Sequence, residues 1–190
     1  IEVIGNNWGG NPEMQRPYPF SRISLQSKKL RFAYLEFQWK LFFELLKKAD
    51  RNTILHANDL DALLPNYLVS KIKGIPLVWD SHEIFTEMPT VTNRWVQHVW
   101  RLLENALIRK IKYFITANDS YANWFETNYK IKRPIVIRNF PQKSESPKSF
   151  VENHPKIILY QGTINYSRGI DKMIEAMQFI ENAEFHIAGR

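Results

Sequence analysis

The chain has 190 residues, 44% of them hydrophobic and 24% charged, which is typical of a globular protein with a buried core. It contains no cysteine, and this excludes disulfides, thiolate chemistry and cysteine-ligated zinc. No apolar stretch of the sequence approaches the roughly 20 residues that a membrane-spanning helix needs. The net charge is +7, and the excess lies in the first 150 residues, which carry 22 Lys and Arg against 14 Asp and Glu. A positive electrostatic potential can attract nucleic acid, anionic lipid or a phosphorylated substrate.

Apolar, β-rich runs alternate with helical patterns along the chain. The predicted strands are residues 1–5, 20–25, 53–57, 75–80, 113–117, 134–138, 156–161 and 183–188. The predicted helices are residues 28–48, 60–73, 92–111, 119–128 and 168–181. Strands that alternate with helices of this length indicate parallel sheets covered by helices. We therefore predict an α/β fold.

This alternation is interrupted between Asn139 and Pro155, where prolines, serines and charged residues replace the apolar periodicity. We predict a Rossmann-like parallel-sheet domain over residues 1–140, a linker over 141–155, and the first strand–helix–strand unit of a second Rossmann-like domain over 156–190. The chain opens in one predicted strand and closes directly after another. We therefore expect a piece of a longer protein, incomplete at its start and truncated at its end.

Two predicted helices carry broad apolar surfaces. In the helix at 28–48, one stripe contains Leu30, Tyr34, Phe37, Leu41 and Leu45, and a second contains Phe32, Leu35, Trp39, Phe42 and Leu46. Because broad apolar arcs usually mean burial, we predict that this helix is buried rather than facing a membrane or a partner. The helix at 92–111 mixes Trp95 and Trp100 with several arginines. A grip on anionic lipid headgroups and a solvated basic face over a packed apolar one both explain that mixture.

Ionisable side chains follow two neighbouring predicted strands. His56 and Asp59 come at the end of one strand, and Asp80, His82 and Glu83 come at the end of the next. Ligands of open α/β sheets bind at the carboxyl ends of the strands, so we expect these residues to share one cleft. Asp59 also directly precedes a predicted helix, where an N-cap role is an equally good interpretation.

A second candidate site follows the predicted strand at 156–161. Gly162 at the strand exit would let a ligand approach the backbone, and the helix that begins after Gly169 would offer unpaired N–H groups. Arg168 adds a guanidinium suited to phosphate oxygens. These residues suggest a diphosphate clamp, although the segment is neither a P-loop nor a G-x-G-x-x-G motif. A loop with a capping glycine and a solvated arginine explains them equally well.

Five short motifs stand in order along nearly the whole chain. They are Leu55-His56-Ala57-Asn58-Asp59-Leu60-Asp61, Trp79-Asp80-Ser81-His82-Glu83-Ile84-Phe85, Arg138-Asn139-Phe140-Pro141, Leu159-Tyr160-Gln161-Gly162 followed by Arg168-Gly169, and Ile187-Ala188-Gly189. Together they resemble the motifs of family 4 glycosyltransferases, which have the GT-B fold. The resemblance implies two facing Rossmann-like halves, the first for the acceptor and the second for a nucleotide-sugar donor.

The resemblance also implies transfer with retention of anomeric configuration, no cofactor and no metal. His82 matches the family histidine at the strand tip that faces the donor sugar, and a catalytic role follows for it. Arg168 matches the basic residue that binds the donor diphosphate, with Gly162 and Gly169 beside it. The other strand-tip residues, His56, Asp59, Asp80 and Glu83, would shape the acceptor pocket. A purely structural role remains an alternative for each of them, and for Asp80 and Glu83 it would be to cap the loop.

The chain departs from the family pattern in two respects. The first strand with its glycine-bearing loop would precede Ile1, and the acidic donor motif would follow Arg190. In addition, Thr163 stands where many relatives have arginine, so the phosphate clamp would contain one cation fewer. We expect the isolated 190 residues to bind donor poorly and to be inactive as a transferase.

Two other functions remain open from the sequence. A nucleotide-sugar 2-epimerase would share the architecture, and a basic, non-catalytic module could dock on a membrane. A nucleic-acid-binding surface would need exposed aromatic residues interleaved with basic ones. Here the aromatic residues mostly follow the periodicity of a helical core, so nucleic acid is disfavoured as a partner. We expect a sugar, a lipid-linked molecule or another small acceptor, and a cytoplasmic protein that can sit at the inner, anionic face of the membrane.

Overall fold

The structure, a computed structural model, describes residues 1–7, 16–27, 29–140, 155–165 and 168–189. The strands are β1 Val3–Asn6, β2 Phe20–Ile23, β3 Leu55–Asn58, β4 Leu77–Ser81, β5 Tyr113–Thr116, β6 Ile135–Val136, β7 Lys156–Gln161 and β8 Ala183–Ala188. The helices are α1 Leu30–Lys48, α2 Leu63–Lys73, α3 Trp95–Ile108, α4 Asp119–Tyr129 and α5 Ile170–Met177. Short 3₁₀ turns occupy Leu60–Ala62 and Phe85–Glu87. The chain forms two compact units, Ile1–Phe140 and Pro141–Arg190.

The first unit is built on a four-stranded parallel sheet in the order β3-β4-β5-β6. Each strand is joined to the next through a helix, α2, α3 or α4. Parallel strands need such crossovers, so all four carboxyl ends lie at one edge of the sheet. β1 and β2 form a separate parallel pair in the same unit. The predicted α/β, Rossmann-like fold is confirmed.

The core of the first unit centres on Trp79, which is fully buried in β4. Its ring stacks on Phe114 of β5, with centroids 4.3 Å apart, and meets Phe125 of α4 edge to face. Burying large aromatic rings supplies much of the apolar area that stabilises a sheet of this size. This aromatic core therefore packs around β4, the strand that ends in Asp80 and Ser81.

The prediction that both apolar stripes of the first helix are buried is wrong for the second stripe. Phe37, Leu41 and Leu45 of α1 are buried, whereas Leu35 and Trp39 are exposed. The first stripe faces the core, and Phe42 and Leu46 of the second stripe pack against it, but the other members of the second stripe line an open groove. α3 shows the same division, because Trp100 is buried and Trp95 is exposed.

The second unit, described by itself, contains the parallel pair β7–β8 joined through α5. Four predicted helices are shorter in the structure, with α1 beginning at Leu30, α2 beginning after a 3₁₀ turn, α3 spanning Trp95–Ile108 and α5 spanning Ile170–Met177. Gly74 ends α2 in a left-handed conformation with φ of 65°, which a glycine adopts without steric cost. The predicted linker at 141–155 lies, apart from Pro155, outside the described residues.

Candidate active site

The carboxyl ends of β3 and β4 bring two histidines onto one carboxylate. Asn58 and Asp80 are partners in the parallel register, so the ends of the two strands lie side by side. The Asp80 Oδ2 atom is 3.5 Å from His56 Nε2 and 3.3 Å from His82 Nε2. Both imidazoles remain partly exposed, while Asp80 is more deeply placed. The structure thus groups three of the residues expected to share a cleft.

Asp59 joins this group, but not as a helix cap. Its side chain makes no capping hydrogen bond, and its backbone, with φ of 58° and ψ of 177°, lies in a region that residues other than glycine rarely adopt. The Asp59 carboxylate instead accepts a hydrogen bond from the His82 N–H at 3.0 Å, and the Asp59 N–H donates to the Asp80 carbonyl at 2.9 Å. The N-cap interpretation is therefore wrong. Asp59 ties the loop after β3 to the loop after β4.

Burial raises the pKa of the Asp59 carboxyl, and the neighbouring carboxylates of Glu83 and Asp80 add to that rise. The hydrogen bond from His82 and the charge of its ring act in the opposite direction. Glu83 itself is exposed at the outer side of the loop. The edge therefore concentrates negative charge around the histidines, and Asp80 is the carboxylate that both imidazoles face.

The start of the loop that carries His82 is held by buried hydroxyl groups. Thr116 of β5 donates from Oγ1 to the Ser81 carbonyl at 2.9 Å. Ser81 donates from Oγ to the Glu83 carbonyl at 2.7 Å. Both hydroxyl-bearing side chains are buried, so water does not compete for these bonds. The imidazole of His82 therefore projects from a fixed backbone rather than from a loose loop.

Asn139, which the sequence analysis assigned no role, contacts His82 on its other side. The Asn139 Nδ2 atom is 3.3 Å from His82 Nδ1. An amide nitrogen donates, so Nδ1 accepts, and a neutral His82 ring then carries its proton on Nε2, facing Asp80. The signal was present in the sequence, because Asn139 belongs to one of the five motifs. Its partner could not be read there, since 57 positions separate the two residues.

In the second unit, the loop after β7 brings two glycine backbones together. The Gly162 N–H donates to the Ala188 carbonyl at 3.0 Å, and a Cβ atom on Gly189 would lie 1.8 Å from the Gly162 carbonyl oxygen. A side chain at position 189 is thus incompatible with this geometry. Gly162 itself has φ of 154°, which also favours glycine.

Arg168 lies at the end of the same loop with an exposed side chain. Its backbone N–H donates to the Asn165 carbonyl at 3.1 Å, which turns the chain into α5. Gly169 precedes the helix with φ of 70° and supplies no side-chain cap. Among the described residues no side chain caps the first N–H groups of α5. His82 and Arg168 belong to different units. That they face one shared site, as the resemblance implies, stays a prediction.

Within the described ranges, no three His, Asp or Glu side chains are grouped so that they could hold a metal ion. In the same part of the chain, none of the helices is both long enough and apolar enough to span a bilayer.

Residues 1–140 match the family model described as Glycosyltransferase Family 4. This stretch includes both strand tips and Asn139. A search of the curated proteins found no match.

Proposed function

The chain belongs to glycosyltransferase family 4, whose members transfer glycosyl groups, and from this premise we propose that it moves a sugar from a nucleotide-sugar donor to an acceptor with retention of configuration. In this reaction the bond between the anomeric carbon and the donor diphosphate breaks. The acceptor oxygen bonds to the same face of that carbon, and the acceptor proton passes to the released diphosphate.

The observation that supports this proposal is the arrangement of Asp80, His82 and Asn139 at the carboxyl edge of the sheet. Asn139 holds Nδ1, so Nε2 presents a proton toward the side of the edge where Asp80 lies. The 3.3 Å contact with Asp80 is long for a hydrogen bond, and a substrate hydroxyl can replace it. In the proposed reaction His82 donates to a hydroxyl of the reacting sugar or orients the acceptor hydroxyl.

The remaining edge residues belong to the acceptor in this proposal. His56 is half-exposed beside Asp80, and Glu83 is exposed on the next loop. Imidazole and carboxylate groups bind sugar hydroxyls well because each offers more than one donor or acceptor site. Asp80 bridges the two histidines, and we expect its loss to disturb both of them.

For the donor we propose the loop between β7 and α5. The exposed guanidinium of Arg168 would pair with the diphosphate and stabilise the charge that builds on the departing nucleotide. The helix N-terminus beside it adds unpaired N–H groups and a partial positive charge. Arg168→Ala should weaken binding of a nucleoside diphosphate, whereas Lys156→Ala, which removes an exposed cation at the other end of β7, should leave it unchanged. Equal affinities for Arg168→Ala and the unmodified protein would remove Arg168 from the clamp.

The proposed function is tested with the 190-residue chain and with a version extended by its flanking coding sequence. Each is incubated with a panel of nucleotide-sugars, with and without candidate sugar and lipid-linked acceptors, and nucleotide release is measured. We expect the extended version to release nucleotide only when an acceptor is present, and NMR of the product to show the donor's anomeric configuration.

Three results would contradict the proposal. Inversion of configuration would exclude the retaining mechanism. Release without acceptor, accompanied by an altered sugar, would instead favour a 2-epimerase. If the extended version released no nucleotide in an acceptor-dependent way with any donor and acceptor of the panel, the transferase assignment would be wrong.

A further inference from the structure

A large apolar groove opens between α1, α2 and α3 of the first unit, away from the side chains of the candidate active site. It encloses about 920 Å³, and none of the side chains that line it is charged. Leu35 and Trp39 form one wall, Trp95 and Val99 the opposite wall, and Leu68 of α2 lies in the lining between them. The groove is the feature that the predicted burial of α1 did not anticipate.

The rims of this groove expose large apolar side chains. Trp39 on α1 is 66% exposed and Trp95 on α3 is 67% exposed, while Leu102, further along α3, is 73% exposed. A contiguous apolar surface of this kind marks an interaction site in proteins that must otherwise remain dissolved. Tryptophan at such a rim is typical of membrane–water interfaces, where its ring is apolar and its N–H remains hydrated.

A basic depression adjoins the groove, and Trp39 lines both. The depression encloses about 600 Å³ and contains Arg22, Lys40 and Lys47 with Glu44 as the only acidic residue in its lining. Lys40 and Glu44 are engaged in ion pairs along α1. Arg22 and Lys47 form no ion pair among the residues that the structure describes. Two uncompensated cations therefore stand beside the apolar groove.

The opposite rim also carries an exposed cation beside its tryptophan. Arg94 directly precedes Trp95, its side chain is exposed, and it makes no ion pair within the described part of the chain. Each exposed tryptophan thus has an uncompensated cation close to it. Side chains of this kind bind the phosphates of anionic lipids when apolar neighbours enter the headgroup boundary.

We propose that this face docks on a lipid bilayer that contains anionic phospholipid, with Trp39 and Trp95 at the headgroup boundary and Arg22, Lys47 and Arg94 on lipid phosphates. The charges favour a bilayer over a second copy of the chain. A symmetric dimer through this face would bring like cations of the two copies into one interface, which costs binding energy. An anionic leaflet pairs them instead. The inference does not depend on the proposed sugar transfer.

The test is sedimentation of the 190-residue chain with vesicles of phosphatidylcholine alone or of equal parts phosphatidylcholine and phosphatidylglycerol. We expect binding to the mixed vesicles that fades as salt screens the headgroups. Lys47→Ala should weaken it about fivefold, because one basic residue near an anionic surface contributes roughly that factor. The double variant Trp39→Ser, Trp95→Ser should weaken binding about tenfold or more, since it removes the buried apolar area.

Phe179→Ser is the matched control, because it removes an exposed aromatic ring that does not line the groove. Circular dichroism of every variant checks the fold, and Lys47→Ala carries the test alone if the tryptophan variant unfolds. Equal binding to the two kinds of vesicle, or no binding to either, would overturn the proposal. It would also be overturned if Lys47→Ala bound like the unmodified chain, or if the tryptophan substitutions converted a dimer into monomers without changing vesicle binding.

Discussion

At the scale of single residues, the orientation of His82 depends on Asn139. A histidine at a strand end can present either ring nitrogen to a substrate, and the hydrogen bond made by one nitrogen decides the role of the other. Here the Asn139 amide faces Nδ1 and Asp80 faces Nε2. The two contacts select one tautomer and one ring orientation, so the chemistry proposed for His82 rests on a residue that touches no reacting atom.

Removing that amide should therefore slow transfer without abolishing it. We expect Asn139→Ala to lower kcat about fivefold, the effect of losing one hydrogen bond of about 1 kcal/mol, with little change in KM. Asn128→Ala is the control, because the Asn128 amide also makes a single hydrogen bond, to a backbone carbonyl on α4. Steady-state kinetics on the extended protein compare the two. A kcat for Asn139→Ala equal to that of Asn128→Ala would show that Asn139 does not orient His82.

A second residue-scale feature is the buried carboxyl of Glu104, whose exposed fraction is 0%. Its Oε2 atom accepts hydrogen bonds from the Tyr129 hydroxyl and from Thr86 Oγ1, while Oε1 has no partner among the described residues. Burial raises the pKa of Glu104 from 4.5 to about 7. Between these values the folded chain holds a proton that the unfolded chain has lost, so stability falls as pH rises.

This carboxyl predicts a pH dependence of folding. The contribution of protonated Glu104 to the free energy of unfolding is fully present below about pH 4.5. It is lost as pH rises through about 7, and the free energy of unfolding falls by about 3 kcal/mol over this range. Burial likewise raises the pKa of Asp61, to about 6, so a smaller dependence of the same sign remains in every variant. Glu104→Gln cannot ionise and should show a flatter profile of unfolding free energy, measured by urea denaturation across this range.

Glu126→Gln, an exposed change on α4, is the control for the Glu104 experiment and should keep the original slope. The largest difference between Glu104→Gln and the unmodified chain should appear above pH 7, in favour of the variant. Identical slopes for all three proteins would mean that Glu104 does not titrate in this range.

At the scale of elements, Asp59 holds the ends of β3 and β4 together. One carboxylate oxygen accepts the His82 N–H, and the Asp59 N–H binds the Asp80 carbonyl. The carboxylate bond needs an oxygen at this position but no charge. Asp59→Asn should therefore retain most of the stability, because asparagine has the same size and keeps that oxygen.

By contrast, Asp59→Ala should lower the unfolding free energy by about 1–3 kcal/mol, because it leaves the half-buried His82 N–H without a partner. Urea unfolding of the two variants at one pH gives the comparison. If Asp59→Asn lost as much stability as Asp59→Ala, the charge rather than the hydrogen bond would hold the strands.

The elements themselves were largely predictable from the sequence. Each strand in the described part of the chain overlaps a predicted one, because alternating β-rich and helical periods leave few other folds. The exposure of the second stripe of α1 was not predictable, since periodicity reports how broad an apolar arc is and not what covers it. The predicted helices at 92–111 and 168–181 were also too long, because Asn93, with φ of 62°, and Gly169, with φ of 70°, keep the chain out of the helical conformation just before α3 and α5.

At the scale of the whole molecule, the candidate site was predictable as a place but not as a set of contacts. The carboxyl edge of a parallel sheet and its ionisable residues follow from the order of strands. The position of Asn139 against His82, and the bond from the His82 N–H to Asp59 in place of an N-cap, depend on tertiary packing across many residues. Local sequence carries no record of that packing.

The central claim is that sugar transfer takes place at the edge that carries His82. The most direct measurement is kcat/KM for transfer to a soluble acceptor by the extended protein, comparing His82→Ala with His98→Ala, which removes an exposed histidine of α3. We predict a loss of about 100-fold or more for His82→Ala, the usual effect of removing a hydrogen-bond donor from a reacting centre, and no loss for His98→Ala. Near-normal kcat/KM in a folded His82→Ala protein would contradict the claim.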